Sequence, residues 1–223
     1  MKPSKNRNAK ENAALTQRVE KIIDRLHDEF GDPGTALNFN TPLELLVATV
    51  LSAQCTDERV NQVTSELFRK HKTAEDYARA DLGTLENEIR PTGFFRQKAK
   101  SIQGICKALM NRFGGEVPPR LEDLVKLPGI GRKTANLVLS EAFGTPGVIV
   151  DTHVKRVANR IGLTEEGDPV KIEFDLMSYV PEAQWSRLSN LLIRHGRKTC
   201  VARKPKCPQC TIRDLCDYPE KTQ

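Results

Sequence analysis

Apolar residues recur along this chain at spacings of three and four, the period of a helix with one face turned to a core. Runs that alternate residue by residue, the mark of a half-buried strand, are hard to find. On this pattern helices are expected at about 12 to 30, 56 to 70, 95 to 113, 121 to 126, 131 to 143, 152 to 161, 169 to 179 and 184 to 196. Thr41-Pro-Leu-Glu44 has the form of a capping box with Pro42 at the first helical position. It opens an apolar helix through Leu45, Leu46, Val47 and Val50, and Thr73 and Asp76 mark another start. Val148-Ile149-Val150 is too short for a strand of its own and runs straight into a helical pattern, so it reads as a connector. The expected fold class is all-α, roughly ten helices with no fixed repeat, too many for a four-helix bundle and best arranged as two lobes.

Composition adds what the pattern leaves out. The chain has 223 residues, 38% apolar, 5% aromatic and 29% charged, enough for a proper core without disulfide staples. No run approaches a bilayer span, so no membrane association is expected. The opening MKPSKNRNAKENAA is polar and basic, which reads as a disordered tail over 1–11 and not as a signal peptide. A cytoplasmic location follows. Thirty-five Lys and Arg against 29 Asp and Glu give a net charge of +6, which favours a polyanionic partner without proving one.

The segment from Leu121 to Leu139 carries the most information. A short helix meets Pro128-Gly-Ile-Gly131, and a second helix begins at once. Such a corner is often purely structural. Yet Gly129 and Gly131 permit backbone angles and close approaches that side chains would block, and their amides can face a phosphate at the open helix end. Lys133 falls in the first turn, where the helix dipole disfavours an ammonium, and neighbouring Arg132 adds like-charge repulsion. A neutral amine is a nucleophile, although most lysines so placed are solvated or touch phosphate. Eighteen residues on, Asp151 stands between the apolar connector and a helix start. It is a natural N-cap, and a carboxylate there can also take up a proton or stabilise a cationic sugar-like state. His153 reads as a packing or phosphate-side residue.

Four of the six cysteines crowd together as Cys200, Cys207, Cys210 and Cys216, spaced C-x6-C-x2-C-x5-C. Cys55 and Cys106 stand alone. In a reducing compartment this clustering is a ligand set and not a disulfide framework. Zinc and a cubane iron-sulfur cluster both accept four thiolates, so spacing leaves the metal open. Between the first two cysteines, Arg203, Lys204 and Lys206 form a basic loop whose tied ends would hold its cations toward a phosphate backbone.

Taken together, Leu127 to Asn136, Val150-Asp-Thr-His153 and the cysteine spacing resemble the endonuclease III family, in family order. Ser52 to Asp57 and Gly93 to Ala99 look like family segments too. The resemblance implies a two-lobed helix-hairpin-helix DNA glycosylase fold with a C-terminal iron-sulfur loop and a 4Fe-4S cluster. DNA would lie across a cleft between a six-helix domain over 35–146 and a cluster domain built from 12–34 and 147–223. It implies a bifunctional glycosylase and abasic-site lyase that removes oxidised pyrimidines. Lys133 would be the nucleophile, Asp151 its carboxylate partner, and Gly129 and Gly131 the phosphate contacts. Gln54 would fill the space of the extruded nucleotide and Phe94 would be the apolar wedge, a position often held by leucine. The implied partner is duplex DNA carrying damaged bases or abasic sites, bound by a monomer associated with a bacterial nucleoid.

Two alternatives stand beside this. A monofunctional adenine-type mismatch glycosylase resembles the chain in hairpin, aspartate and cysteines, but looks different at the lysine and commonly carries a further recognition domain, whereas seven residues follow Cys216 here. A non-catalytic DNA-binding module would have no need of both Lys133 and Asp151.

Overall fold

A computed structural model describes residues 9–32 and 34–222. The chain forms two compact units, one gathering the described residues up to Gly34 with those from Pro146 onward, the other running from Thr35 to Thr145. Among the described residues there is no strand, and no helix is long and apolar enough to cross a membrane.

The continuous unit holds seven α-helices: α2 (Pro42–Leu51), α3 (Asp57–Lys70), α4 (Ala74–Arg79), α5 (Leu82–Glu88), α6 (Phe95–Phe113), α7 (Leu121–Leu124) and α8 (Arg132–Phe143), with a 3-10 turn at Arg90–Thr92. α2 buries Leu45, Leu46, Val47, Ala48 and Leu51, as expected of a helix apolar on nearly every side. α3, α6 and α8 pack around it. α6 turns Ala99, Ile102, Ile105, Cys106 and Leu109 inward, one stripe at helical spacing. Each fully buried Leu or Ile there contributes about 1.5–3 kcal/mol relative to exposure.

The caps are those the residue types dictate. Thr41 Oγ1 accepts from Glu44 N at 3.2 Å, while Glu44 Oε2 accepts from Asn40 N at 2.5 Å, one residue short of a reciprocal box. At α4 the box is complete between Thr73 and Asp76. The periodicity gave no sign of α5, whose seven residues are too few to show it, although Asp81 caps it through Thr84 N at 2.8 Å. With the single turn α7 counted as well, this unit has one helix more than the six expected.

The second unit joins α1 (Ala9–Phe30) to α9 (Thr152–Arg160), α10 (Pro169–Met177) and α11 (Trp185–Lys198), with 3-10 turns at Glu182–Gln184, Cys207–Gln209 and Arg213–Leu215. α1 starts three residues before the expected position, because Ala9 and Glu11 favour a helix start and no breaker intervenes. Residues 9–11 of the expected tail are therefore helical, and 1–8 lie outside the described residues. α11 is the central helix, packed on both α1 and α9. Gly196 of α11 faces α9, where a Cβ would stand 3.0 Å from His153 Cβ and 3.1 Å from Val157 Cγ2. Val148, Ile149 and Val150 form no strand, but they are buried and lead the chain into α9.

Candidate functional site

The hairpin is closed by local bonds, Val125 N to Leu121 O at 3.1 Å and Ile130 N to Leu127 O at 3.2 Å, and anchored by the buried side chains of Leu127 and Ile130. Gly129 has φ +77°, a left-handed angle that favours glycine. Gly131 does not, with φ −90°, and a Cβ there would meet nothing within 4 Å. Only half of the expected glycine argument therefore holds as backbone freedom, and the absence of a side chain at Gly131 matters only to something that approaches from outside. Gly131 caps α8 without a side-chain bond, so the first amides of that helix are not satisfied by a capping side chain. Arg132 is half-buried. Lys133 is the second residue of α8 and its side chain is exposed, which answers the question of burial that the sequence left open.

Gln54 and Phe94 sit at helix ends in the same unit. Gln54 lies in the turn between α2 and α3, and Phe94 is the N-cap of α6, 66% exposed. The two side chains line one cleft together with Pro128, Gly129, Ile130 and Thr134 of the hairpin. Both residues hold left-handed backbone angles, φ 52° and 46°, and Lys204 is the third described non-glycine residue that does so. Each costs about 1–2 kcal/mol, strain that folded proteins concentrate at functional positions. Lys98 lines the same cleft with its side chain buried, at a position that no local pattern singles out.

Asp151 belongs to the other unit. Its Oδ1 accepts from both His153 N and Val154 N at 2.7 Å, so it is the N-cap of α9. Because both bonds use one oxygen, the cap leaves Oδ2 for other partners. His153 is half-buried, and burial lowers its pKa, with Arg156 and Arg197 acting the same way against Asp151. Arg156 Nη2 lies 3.2 Å from His153 Nδ1, an orienting contact that the sequence did not reveal. Since arginine can only donate, Nδ1 accepts and the other nitrogen carries the proton.

The four clustered cysteines form no disulfide and line one cavity together with Arg160, His195 and Tyr218. Burial pushes the Cys210 thiol up to about 11, and the nearby sulfurs of Cys216, Cys200 and Cys207 act in the same direction. Among the described residues no three His, Cys, Asp or Glu side chains converge on a point suited to a single ion. Four soft donors spread around a cavity, with no carboxylate among its lining residues, fit a polynuclear iron-sulfur cage better than a lone zinc. Basic groups surround the sulfurs: Arg160 Nη1 is 3.6 Å from Cys200 Sγ, and His195 Nε2 is 3.7 Å from Cys210 Sγ. Burial lowers the His195 pKa to about 4. Arg160 also donates to Val201 O at 2.7 Å and Ala202 O at 2.9 Å, which pins the start of the basic loop. Arg203, Lys204 and Lys206 are all exposed.

Residues 47–182 match the family model of the HhH-GPD superfamily base excision DNA repair protein, and residues 200–216 match the iron-sulfur binding domain of endonuclease III. The chain is 50% identical to endonuclease III of Synechocystis over 92% of its length and 94% of the relative's. Against endonuclease III of Escherichia coli K12 it is 41% identical, covering 90% and 95%. A solved structure of a trapped endonuclease III-DNA covalent intermediate superimposes with a TM-score of 0.85 at 43% identity, over 91% of this chain and 95% of that one.

Proposed function

Because the chain belongs to the endonuclease III family of HhH-GPD base excision DNA repair proteins, we propose that it is a bifunctional DNA glycosylase and abasic-site lyase with Lys133 as nucleophile. The observation that carries this reading is the exposed Lys133 amine, one residue into the helix that follows the Gly129 to Gly131 turn. A phosphate gripped by that turn brings a sugar within reach of the amine.

A base inside a duplex shields its glycosidic bond and must first be rotated out, at a cost that lesions lower by weakening stacking. Phe94 enters the stack from its strained helix end, and Gln54 fills the space left behind. The Lys133 amine then gives up a proton and forms a bond to C1′ while the bond to the base breaks and the base leaves with the electron pair. Opening of the sugar gives an imine, which as electron sink permits loss of a C2′ proton and departure of the 3′ phosphate. Asp151 serves through Oδ2, stabilising the cationic sugar or receiving a proton. Cys200, Cys207, Cys210 and Cys216 would hold the 4Fe-4S cluster, which would crosslink the loop that carries Arg203, Lys204 and Lys206 toward the DNA backbone. The substrate is duplex DNA with oxidised pyrimidines or abasic sites, and the enzyme acts as a cytoplasmic monomer.

Borohydride trapping on a duplex containing an oxidised pyrimidine tests the reading. Wild type is expected to give a covalent adduct, and Lys133→Ala and Lys133→Gln none. Trapping and nicking by both variants would refute the nucleophile, and excision by wild type without trapping would indicate a monofunctional enzyme.

A further inference from the structure

The buried lysine in the Gln54 and Phe94 cleft has a geometry that no step above uses. Lys98 is 5% exposed, and its Nζ donates to Leu51 O at 2.7 Å and Thr92 O at 2.8 Å. Each carbonyl lies two or three residues ahead of a strained one. Leu51 ends α2 and leads into the Ser52 to Cys55 turn, where Gln54 has φ 52°, while Thr92 leads into Gly93 and Phe94, with φ 71° and 46°. We propose that Lys98 is a positioning residue, a buried ammonium tying together the bases of the two loops that present Gln54 and Phe94. The proposal rests on the reading of those two residues as the ones that enter the duplex.

Three physical facts converge on it. Side chains on a helix lean toward its N-terminus, so Lys98, one turn into α6, reaches back to the chain segment before its own N-cap. The carbonyl of Leu51 is among the last of α2, with no partner inside the helix, and a cation at that end is favoured by the helix dipole. Finally, an ammonium in the first turn of α6 opposes that helix's dipole, and burial lowers its pKa, so the site makes sense only if the bonds it forms are worth more than this cost. Only a donor with several hydrogens can bridge two carbonyls from different loops, and lysine supplies three. The clamp fixes the separation of wedge and filler before DNA arrives, so no ordering cost is met on binding.

The test compares the cluster-loaded full chain with Lys98→Met, Phe94→Ala and the double variant. The readout is the ratio of affinities for a duplex bearing a tetrahydrofuran abasic analogue and for the same duplex intact. Lys98→Met is expected to lower that ratio about tenfold while leaving binding to intact duplex within about twofold. The double variant should lose clearly less than the product of the two single losses, because part of the lysine's effect passes through Phe94. Thermal unfolding verifies that Lys98→Met is folded. If it is not, Lys98→Gln, which can still donate to one carbonyl, should give an intermediate ratio. A folded variant with the wild-type ratio, or losses that multiply in the double variant, overturns the clamp while leaving the wedge intact. An unchanged ratio in Phe94→Ala removes the wedge and the clamp together.

Discussion

Arg18 and Asp217, 199 positions apart in the chain, form an ion pair with Nη1 2.7 Å from Oδ2. The same guanidinium donates to Leu215 O at 2.6 Å and to Ile161 O. Leu215 directly precedes Cys216, so α1 holds the last of the four cysteines in place. Gly162 lies beneath the contact, where a Cβ would stand 2.2 Å from Asp217 Oδ2. Arg18→Ala is expected to fold but to lose the brown colour of its cluster several-fold faster under a chelator, at a cost of about 1–3 kcal/mol in stability. Arg18→Lys should recover only part, having no planar fork to reach three acceptors. Equal decay in all three proteins would show that α1 has no hold on the metal.

Removal of a ligand gives a sharper result. Anaerobically purified protein should be brown and contain iron and sulfide in place of zinc. Cys207→Ser is expected to lose the colour and become poorly soluble, since buried thiols such as Cys210 are then left without the centre that organises them. Metal analysis alongside visible absorbance checks both statements, and a colourless zinc protein would contradict them.

Asp151 separates capping from chemistry. Asparagine caps a helix nearly as well as aspartate, so Asp151→Asn should melt within a few degrees of wild type while its trapping rate falls by about 10²-fold or more. Asp151→Ala loses the cap as well, at about 1 kcal/mol. Near-normal trapping by Asp151→Asn would reduce this residue to its structural role.

The two hairpin glycines should respond differently. Gly129→Ala forces a side chain into a left-handed angle and is expected to cost about 1–2 kcal/mol in stability. Gly131→Ala, with an ordinary angle and open space around it, should leave the melting temperature unchanged yet weaken DNA binding. Thermal melts paired with duplex-binding titrations distinguish the two, and intact binding by Gly131→Ala would argue against close approach of a phosphate.

The capping box at α4 predicts an acid dependence. The amides of Thr73 and Lys72 hold the Asp76 carboxyl below its ordinary value of 3.8. A depressed acid contributes stability that is present above its unfolded pKa and disappears as the pH falls through the folded one. Urea midpoints measured from pH 6 down should show that loss in wild type and a smaller slope in Asp76→Asn. Identical slopes would mean that the box is not coupled to unfolding.

Most helices, their caps and the cysteine ligand set were legible because each depends on neighbours within a few residues: a period of three and four, a Thr before Pro, a Gly at a turn. α5 escaped because seven residues hold too little periodicity. Lys133 could be named from the hairpin motif and Gln54 and Phe94 only through the family resemblance, but not their exposure, nor the left-handed angles of the last two. Lys98 and Arg18 were invisible for a different reason. Each looks in sequence like any basic residue on a helix, and what makes them special is a set of carbonyls brought from other elements, 47 positions away for Lys98 and up to 197 for Arg18. Local chemistry writes the elements and the reactive groups into the chain. Which carbonyls meet a buried cation is decided only when the helices pack, because burial and hydrogen-bond satisfaction are properties of the assembled core.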